Sequence, residues 1–314
     1  MIGVILAAGR GTRILPLSNE FPKPILPICN RPLAEYQIEM MKNIGISEVF
    51  IVISSKAGAA IKEALGDGSQ YGVTLQYVEQ QKPLGTAHAL SVLEDFINSP
   101  LLVFLGDIYL ICDDLYLLVE EVMSGKVNAT LLSKVEHNPK MLMRNFSIYE
   151  DRTGHVFRVI EKPRYPDNQI KGCGVYFFDQ HIFDAIRRTP RTAMREEYEI
   201  TESIQIMIND GLLVSHRSAA KYDLNLTMPY ELLTLNLMEL KRRGLKKIIG
   251  KNARISPGTS IENSIIGEEV TVRCPIKIIN SLIFPGVQVT SNNDIKNAII
   301  QRNNIIQCNP QDLK

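Results

Sequence analysis

Ile2-Gly3-Val4-Ile5-Leu6, followed directly by Ala7-Ala8-Gly9-Arg10-Gly11-Thr12-Arg13, is the stretch on which the fold turns. A short, mostly aliphatic run reads as a strand buried on both faces, as strands of a parallel sheet are. It stops at small residues, and such a strand delivers its loop to the carboxyl edge of the sheet, where open α/β folds bind ligands. Small side chains let backbone N–H groups approach phosphate oxygens. Arg13 can add a bidentate, charge-assisted contact. The pattern is neither GxGxxG nor GxxxxGK[ST], so alone it stands for an anion site or for a plain glycine-containing turn.

Outward from this loop the hydrophobic period alternates. Leu33, Tyr36, Met40 and Ile44 are spaced as one helix face, with Gly45 where a helix stops. Residues 49–53, 73–78 and 101–105 read as strands, and 59–65 and 86–96 as helices. That alternation implies a mostly parallel sheet with helices on both faces, an α/β fold of Rossmann-like type. Residues 129–135, 146–149, 156–160 and 175–178 read as further strands, so the middle is richer in β-structure and the sheet mixed. A helix is predicted over 229–243, ending near Gly244.

Beyond it the chain changes in kind. Ile261-Glu262-Asn263-Ser264-Ile265-Ile266 recurs, 17 residues on, as Ile278-Ile279-Asn280-Ser281-Leu282-Ile283, and again as Ile295-Lys296-Asn297-Ala298-Ile299-Ile300. Ile255, Val272, Val289 and Ile306 keep the same interval, and the aliphatic anchors are spaced six, five and six residues. Such spacing suits a three-sided β-coil with one inward aliphatic residue per side. The recurring Asn is expected at corners that need a left-handed backbone. This part resembles the left-handed parallel β-helix of hexapeptide repeats, with about three coils. The chain is therefore divided at 1–243 and 244–314.

A net charge of +1 over 314 residues offers no field for nucleic acid or a membrane surface, so any anion site is local. The five cysteines form no CxxC pair and are odd in number, which reads as free thiols in a reducing cytoplasm and not as a zinc site. The N-terminal apolar run has neither the basic start of a signal peptide nor the length of a membrane span.

A second motif sharpens the first. Phe21-Pro22-Lys23-Pro24-Ile25-Leu26-Pro27 sets one lysine between prolines that stiffen the backbone on both sides. A lysine so held can act as a point charge on phosphate. With LAAGRGTR ahead of KPILP, the chain resembles the sugar-phosphate nucleotidylyltransferases, also called nucleotide-sugar pyrophosphorylases. Gln80 through Leu90, QQKPLGTAHAL, is similar to the family's nucleobase loop. Leu105-Gly106-Asp107 is similar to its metal aspartate, and Glu161-Lys162-Pro163 to its sugar-phosphate motif. Glu197-Tyr198-Glu199-Ile200-Thr201 and Pro229-Tyr230-Glu231-Leu232-Leu233 also fit.

The resemblance implies attack by a sugar 1-phosphate oxygen on the α-phosphorus of a nucleoside triphosphate, with release of pyrophosphate. Two anions must meet, so charge neutralisation and alignment carry the catalysis. By the resemblance, Arg13 and Lys23 are catalytic, stabilising phosphate charge. Leu6, Ala8, Gly9, Gly11, Thr12, Gln80, Gly85 and Thr86 bind the nucleotide, and Glu161, Lys162 and Gly174 the sugar phosphate. Asp107 ligates Mg²⁺, with Asn225, or else the nearby Asp223, as second ligand. A glutamine amide at position 80 can match the O4/N3–H edge of uracil or thymine, which points to UTP or dTTP. A guanylyltransferase acting on mannose 1-phosphate is the alternative enzyme, and a non-catalytic nucleotide-sugar-binding regulatory subunit the alternative of another class. The chain departs from the family in the sugar region. Gly172 stands where an Asn is usual, and Phe146-Ser147 where a Tyr-Gly is usual. The coil's open edges imply a homo-oligomer.

Overall fold

The computed structural model describes residues 1–193 and 196–313. They fall into two compact units: 1–10 with 34–223, and 11–33 with 224–314.

The first unit is built on a mixed sheet. Along it run Val156–Glu161, Phe146–Glu150, Ile170–Phe178, Leu101–Leu105, Ile2–Leu6, Glu48–Ile53 and Thr74–Glu79, in that order. Ile2–Leu6 pairs parallel with both Glu48–Ile53 and Leu101–Leu105, and Glu48–Ile53 parallel with Thr74–Glu79. Ile170–Phe178 is the strand where direction reverses, antiparallel to Leu101–Leu105 and to Ala129–Val135. Val4, Ile5, Leu101, Leu102, Val103 and Phe104 are fully buried, as aliphatic strands covered on both faces must be. The core on one face joins Val4, Leu6, Val103, Tyr176 and Phe178 to helical residues Ala87, Leu90, Ile182 and Ile204.

One predicted helix face is corrected. The Leu33–Asn43 helix forms and Leu33 is buried as expected, but Tyr36, Met40 and Ile44 are only half-buried, and the rest of the buried stripe is Ala34, Gln37, Ile38 and Met41. The stripe holds a polar residue, Gln37, that hydrophobic spacing passes over. The strands Ile108–Cys112 and Val214–Arg217 and the helices Tyr116–Met123, His181–Arg188 and Ile200–Asn209 have no counterpart in the sequence reading.

In the second unit the repeat closes into a coil. Every parallel ladder joins residues 17 apart: Ile265 with Leu282 and Leu282 with Ile299, Thr271 with Gln288, Ile261 with Ile278 and Ile278 with Ile295. The ladders make three separate sheets, the three sides expected from the spacing. Asn263, Asn280 and Asn297 have φ of 43°, 47° and 49°, so the corner asparagines adopt the left-handed conformation. Their amides are also stacked. Asn263 Nδ2 donates to Asn280 Oδ1 at 2.7 Å, and Asn280 Nδ2 to Asn297 Oδ1 at 3.0 Å.

One side of the coil is buried on both faces. Ile266 and Ile283 point inward, yet Ile265, Leu282 and Ile299 beside them are also fully buried. The 11–33 segment of the same unit packs there. Asn30 Nδ2 donates to the Ile266 carbonyl at 2.8 Å, Gln301 Nε2 to the Leu17 carbonyl at 3.4 Å, and Phe21 meets Phe284 edge-on at 5.0 Å. Asn236, on the Pro229–Arg242 helix, accepts from the Cys29 N–H at 2.7 Å and donates to the Pro27 carbonyl at 2.9 Å. On the same side the coil ends in an antiparallel strand, Asn304–Gln307, laid against Ala298–Gln301.

Candidate active site

In the first unit the start of the glycine loop and the Asp107 turn lie side by side. Leu6 ends its strand next to Leu105, and the Gly106 N–H donates to the Leu6 carbonyl at 2.9 Å. A Cβ on Gly106 would stand 2.8 Å from that carbonyl oxygen, so only glycine permits the approach. Gly9 is exposed and has open space where a side chain would go. The turn is gripped from behind by Gln37, whose Nε2 donates to the Leu105 carbonyl at 3.0 Å and to the Ile108 carbonyl at 2.8 Å. Gly174 borders the same turn. It lies at a register shift in the Ile170–Phe178 strand, with φ of 66°, and a Cβ there would be 2.2 Å from Ile108 Cδ1.

The 80–90 loop is strapped to the 198–200 segment. Tyr198 N–H donates to the Leu84 carbonyl and Ala87 N–H to the Tyr198 carbonyl, each at 2.8 Å. Gly85 has φ of 117°, and a Cβ would stand 2.4 Å from the Tyr198 oxygen. Thr86 Oγ1 accepts from the Ile200 N–H at 2.9 Å, at the start of the Ile200–Asn209 helix. Gln80 is 3% exposed. Its Nε2 lies 3.2 Å from the Gly85 carbonyl and 2.7 Å from His88 Nδ1. The His88 ring stacks on Tyr198 at 6.3 Å, and Arg191 lies over the other ring of that pair, 5.3 Å from Tyr198. Burial first, and the Arg191 charge second, hold the His88 imidazole below its ordinary value. The sequence reading missed His88, which on a helix looks like a surface residue.

Glu161 and Lys162 end the Val156–Glu161 strand. Lys162 has φ of 45°, a conformation that an ordinary residue adopts at a cost and that recurs at functional positions. Its N–H donates to the Asn145 carbonyl at 2.7 Å, and its ammonium lies 2.5 Å from Glu161 Oε1. Thr201 Oγ1 donates to Glu161 Oε2 at 3.3 Å, so the Glu161-Lys162 and Glu197–Thr201 motifs meet. The two family departures prove to be one. A Cβ on Gly172 would fall 1.9 Å from Phe146 Cζ, because the Phe146 ring fills the space a side chain at 172 would need. Phe146 then stacks on Tyr176 at 5.9 Å.

Asp223 is committed elsewhere. It is buried, with Oδ2 2.5 Å from Lys171 Nζ and Oδ1 3.1 Å from Lys134 Nζ. Among the described residues no group of three or more His, Cys, Asp or Glu could hold a metal ion.

The second unit carries the remaining residues. Gly11, with φ of 62°, leads into a 3₁₀ turn, Thr12–Ile14, on which Arg13 is exposed. Ser18 Oγ donates to the Gly11 carbonyl at 2.7 Å, and a Cβ on Gly11 would be 3.6 Å from Lys23 Cγ. The glycine turn and Lys23 are therefore neighbours. Asn225 precedes a turn closed by Glu231, whose Oε2 accepts from the Thr227 and Met228 N–H groups at 2.7 Å each.

Comparison with known proteins extends the pattern. Residues 2–222 match the model of the nucleotidyl transferase family, and residues 238–311 that of the GlmU-like C-terminal hexapeptide region. Low-salt glycan biosynthesis nucleotidyltransferase Agl11 of Haloferax volcanii is 34% identical over 249 residues, 79% of this chain and 68% of that protein. The glucose-1-phosphate thymidylyltransferase of Streptomyces griseus is 28% identical over 299 residues, 91% of this chain and 81% of its own. A crystal structure from Bacillus anthracis, assigned as a glucose-1-phosphate thymidylyltransferase, is similar with a TM-score of 0.68 at 26% identity, over 76% of this chain and 95% of that one. No helix among the described residues is long and apolar enough to cross a membrane. With the family model matched from residue 2 to residue 222, the chain belongs to the nucleotidyl transferases, as an enzyme that joins a nucleoside triphosphate to a sugar 1-phosphate and bears a hexapeptide β-helix region.

Proposed function

We propose that the chain transfers a uridylyl or thymidylyl group to a hexose 1-phosphate, releasing pyrophosphate. The Gln80 amide carries this reading. The Gly85 carbonyl can only accept, so the amide nitrogen faces it, and the nitrogen's other hydrogen is taken by His88 Nδ1. Among the described residues Oε1 of Gln80 has no partner. A lone acceptor suits the N3–H of uracil or thymine and repels the bare N3 of cytosine.

The remaining roles follow from chemistry. Backbone groups of Leu6, Ala8, Gly9, Gly11 and Thr12 cradle the triphosphate, while Arg13 and Lys23 neutralise it as the α-phosphorus is attacked. Gln80, Gly85 and Thr86 hold the base. Lys162 anchors the sugar phosphate, Glu161 accepts from sugar hydroxyls, and the Gly174 backbone completes the sugar-phosphate pocket. Mg²⁺ supplies charge neutralisation at the phosphates. Asp107 and Asn225 are the oxygen donors proposed for it, and a set so small fits an ion that keeps waters and phosphate oxygens as its other ligands. Asn225 is preferred to Asp223, whose two oxygens face lysines.

Catalysis is assigned to residues 1–243 and assembly into a homo-oligomer to the coil, residues 244–314. The five free thiols suit a reducing cytoplasm. Pyrophosphate release with UTP, dTTP, GTP and CTP against a panel of hexose 1-phosphates tests the reading. Turnover with UTP or dTTP is expected, and turnover with GTP alone would overturn it.

A further inference from the structure

We propose that His88 is a positioning residue for base choice, holding the Gln80 amide with its oxygen toward the base. The inference rests on Gln80 as the base reader and goes on to name what keeps that reader in one orientation. A glutamine amide can flip end for end, which exchanges an acceptor for a donor at nearly the same place. Presented nitrogen-first, Gln80 would favour the N3 acceptor of cytosine over the N3–H of uracil. One hydrogen bond, the 3.2 Å contact to the Gly85 carbonyl, opposes the flip from the loop itself. The shorter 2.7 Å contact to His88 Nδ1 opposes it from the following helix.

The His88 ring is itself held. It stacks on Tyr198, whose backbone is hydrogen-bonded to Leu84 and Ala87 on either side of Gly85. Since Gly85 fixes the amide nitrogen inward, Nδ1 must accept, and the ring proton sits on Nε2. The ring needs to be neutral for this. Among the described residues, the titratable and charged groups that bear on it are Tyr198, on whose ring it stacks, and Arg191, which lies over the Tyr198 ring. None of Gln80, His88, Tyr198 and Arg191 is among the residues assigned to the phosphates. Loss of the His88 acceptor should therefore change which base is preferred more than it changes how tightly triphosphate is gripped.

Isothermal titration of the whole enzyme with UTP and with CTP gives the ratio of their dissociation constants. His88→Leu, which cannot accept, should lower the preference for UTP about tenfold, the loss of about one hydrogen bond. His88→Gln, which can accept, should restore most of it, and His88→Lys, which can only donate, should lower it further. Thermal melting of each variant reports folding. If His88→Leu fails to fold, the His88→Lys and His88→Gln pair decides. Equal ratios for wild type and a folded His88→Lys overturn the proposal. Gln80→Leu separates the two layers. If its ratio also equals wild type, Gln80 does not read the base and both readings fall. If it collapses while the His88 variants keep the wild-type ratio, only the role of His88 falls.

Discussion

Gln37 Nε2 lies 2.8 Å from the carbonyl oxygen of Ile108, and the same nitrogen also reaches the Leu105 carbonyl, so one amide closes a clamp around Asp107. The clamp is 1% exposed. Gln37→Met fills the same volume but leaves the buried Ile108 carbonyl and the part-buried Leu105 carbonyl without that donor. It should cost about 1–3 kcal/mol in urea unfolding. The Mg²⁺ concentration needed for half-maximal rate should rise with it. An unchanged Mg²⁺ requirement in a destabilised variant would detach the clamp from metal binding.

Lys23 should be far more important to rate than to stability. It is half-buried on a single turn, and its side chain passes Gly11. Lys23→Ala should lower kcat/KM by about a hundredfold or more, as loss of a charge aimed at the transition state does, with a melting shift within a degree or two. A wild-type rate would mean that the phosphates are neutralised by other residues.

Asp223 should show the opposite split. Its pair with Lys171 has both side chains buried, and Lys134 adds a second cation. Asp223→Asn leaves a buried ammonium uncompensated and should cost about 3–5 kcal/mol. Where the variant still folds, at low temperature, the Mg²⁺ dependence should match wild type.

Base preference should follow pH through His88. Its imidazole is held below 6.5 by burial and, secondarily, by Arg191. The folded state thus binds that proton less readily than the unfolded chain. The associated stability is present above the ordinary imidazole value and is lost as pH falls through the folded one. The UTP-to-CTP binding ratio should decline in the same direction, as pH falls below the ordinary imidazole value of 6.5. A ratio that stays flat while the Gln80→Leu variant abolishes it would show that the ring's protonation is immaterial.

The coil corners offer a graded test. Asn280 Nδ2 and Oδ1 both bond to neighbouring asparagines, in a left-handed backbone. Asn280→Gly keeps the backbone conformation and loses the amide. Asn280→Ala loses both, at about 2 kcal/mol. Melting midpoints should fall in the order wild type, glycine, alanine.

What the sequence disclosed and what it withheld follow one physical rule. Ile2–Leu6, Leu101–Leu105 and the 17-residue register as far as Ile300 were legible because each signal is local or strictly repeated, whereas Ile306, which keeps the interval, pairs antiparallel with Ile299 instead of following Val289. Asn263, Asn280 and Asn297 could be placed at corners for the same reason. Gln37 and His88 were not legible. Their importance comes from carbonyl and amide groups that the fold brings to them, and a helix pattern counts both as polar surface. The link between Phe146 and Gly172 was equally hidden. The two departures are visible in the sequence, but only strand pairing reveals that one ring occupies the other residue's missing side chain.

The 11–33 segment, folded against one side of the coil, bears on how such chains can be recombined. The natural cut in the sequence is near residue 243, where the helix ends and the repeats begin. A graft made there would take the coil away from Leu17, Phe21 and Asn30. It would also strip the cover from Ile265, Leu282 and Ile299. The unit that can be exchanged between relatives is discontinuous, so a viable chimera must carry the donor's 11–33 segment along with the donor's tail.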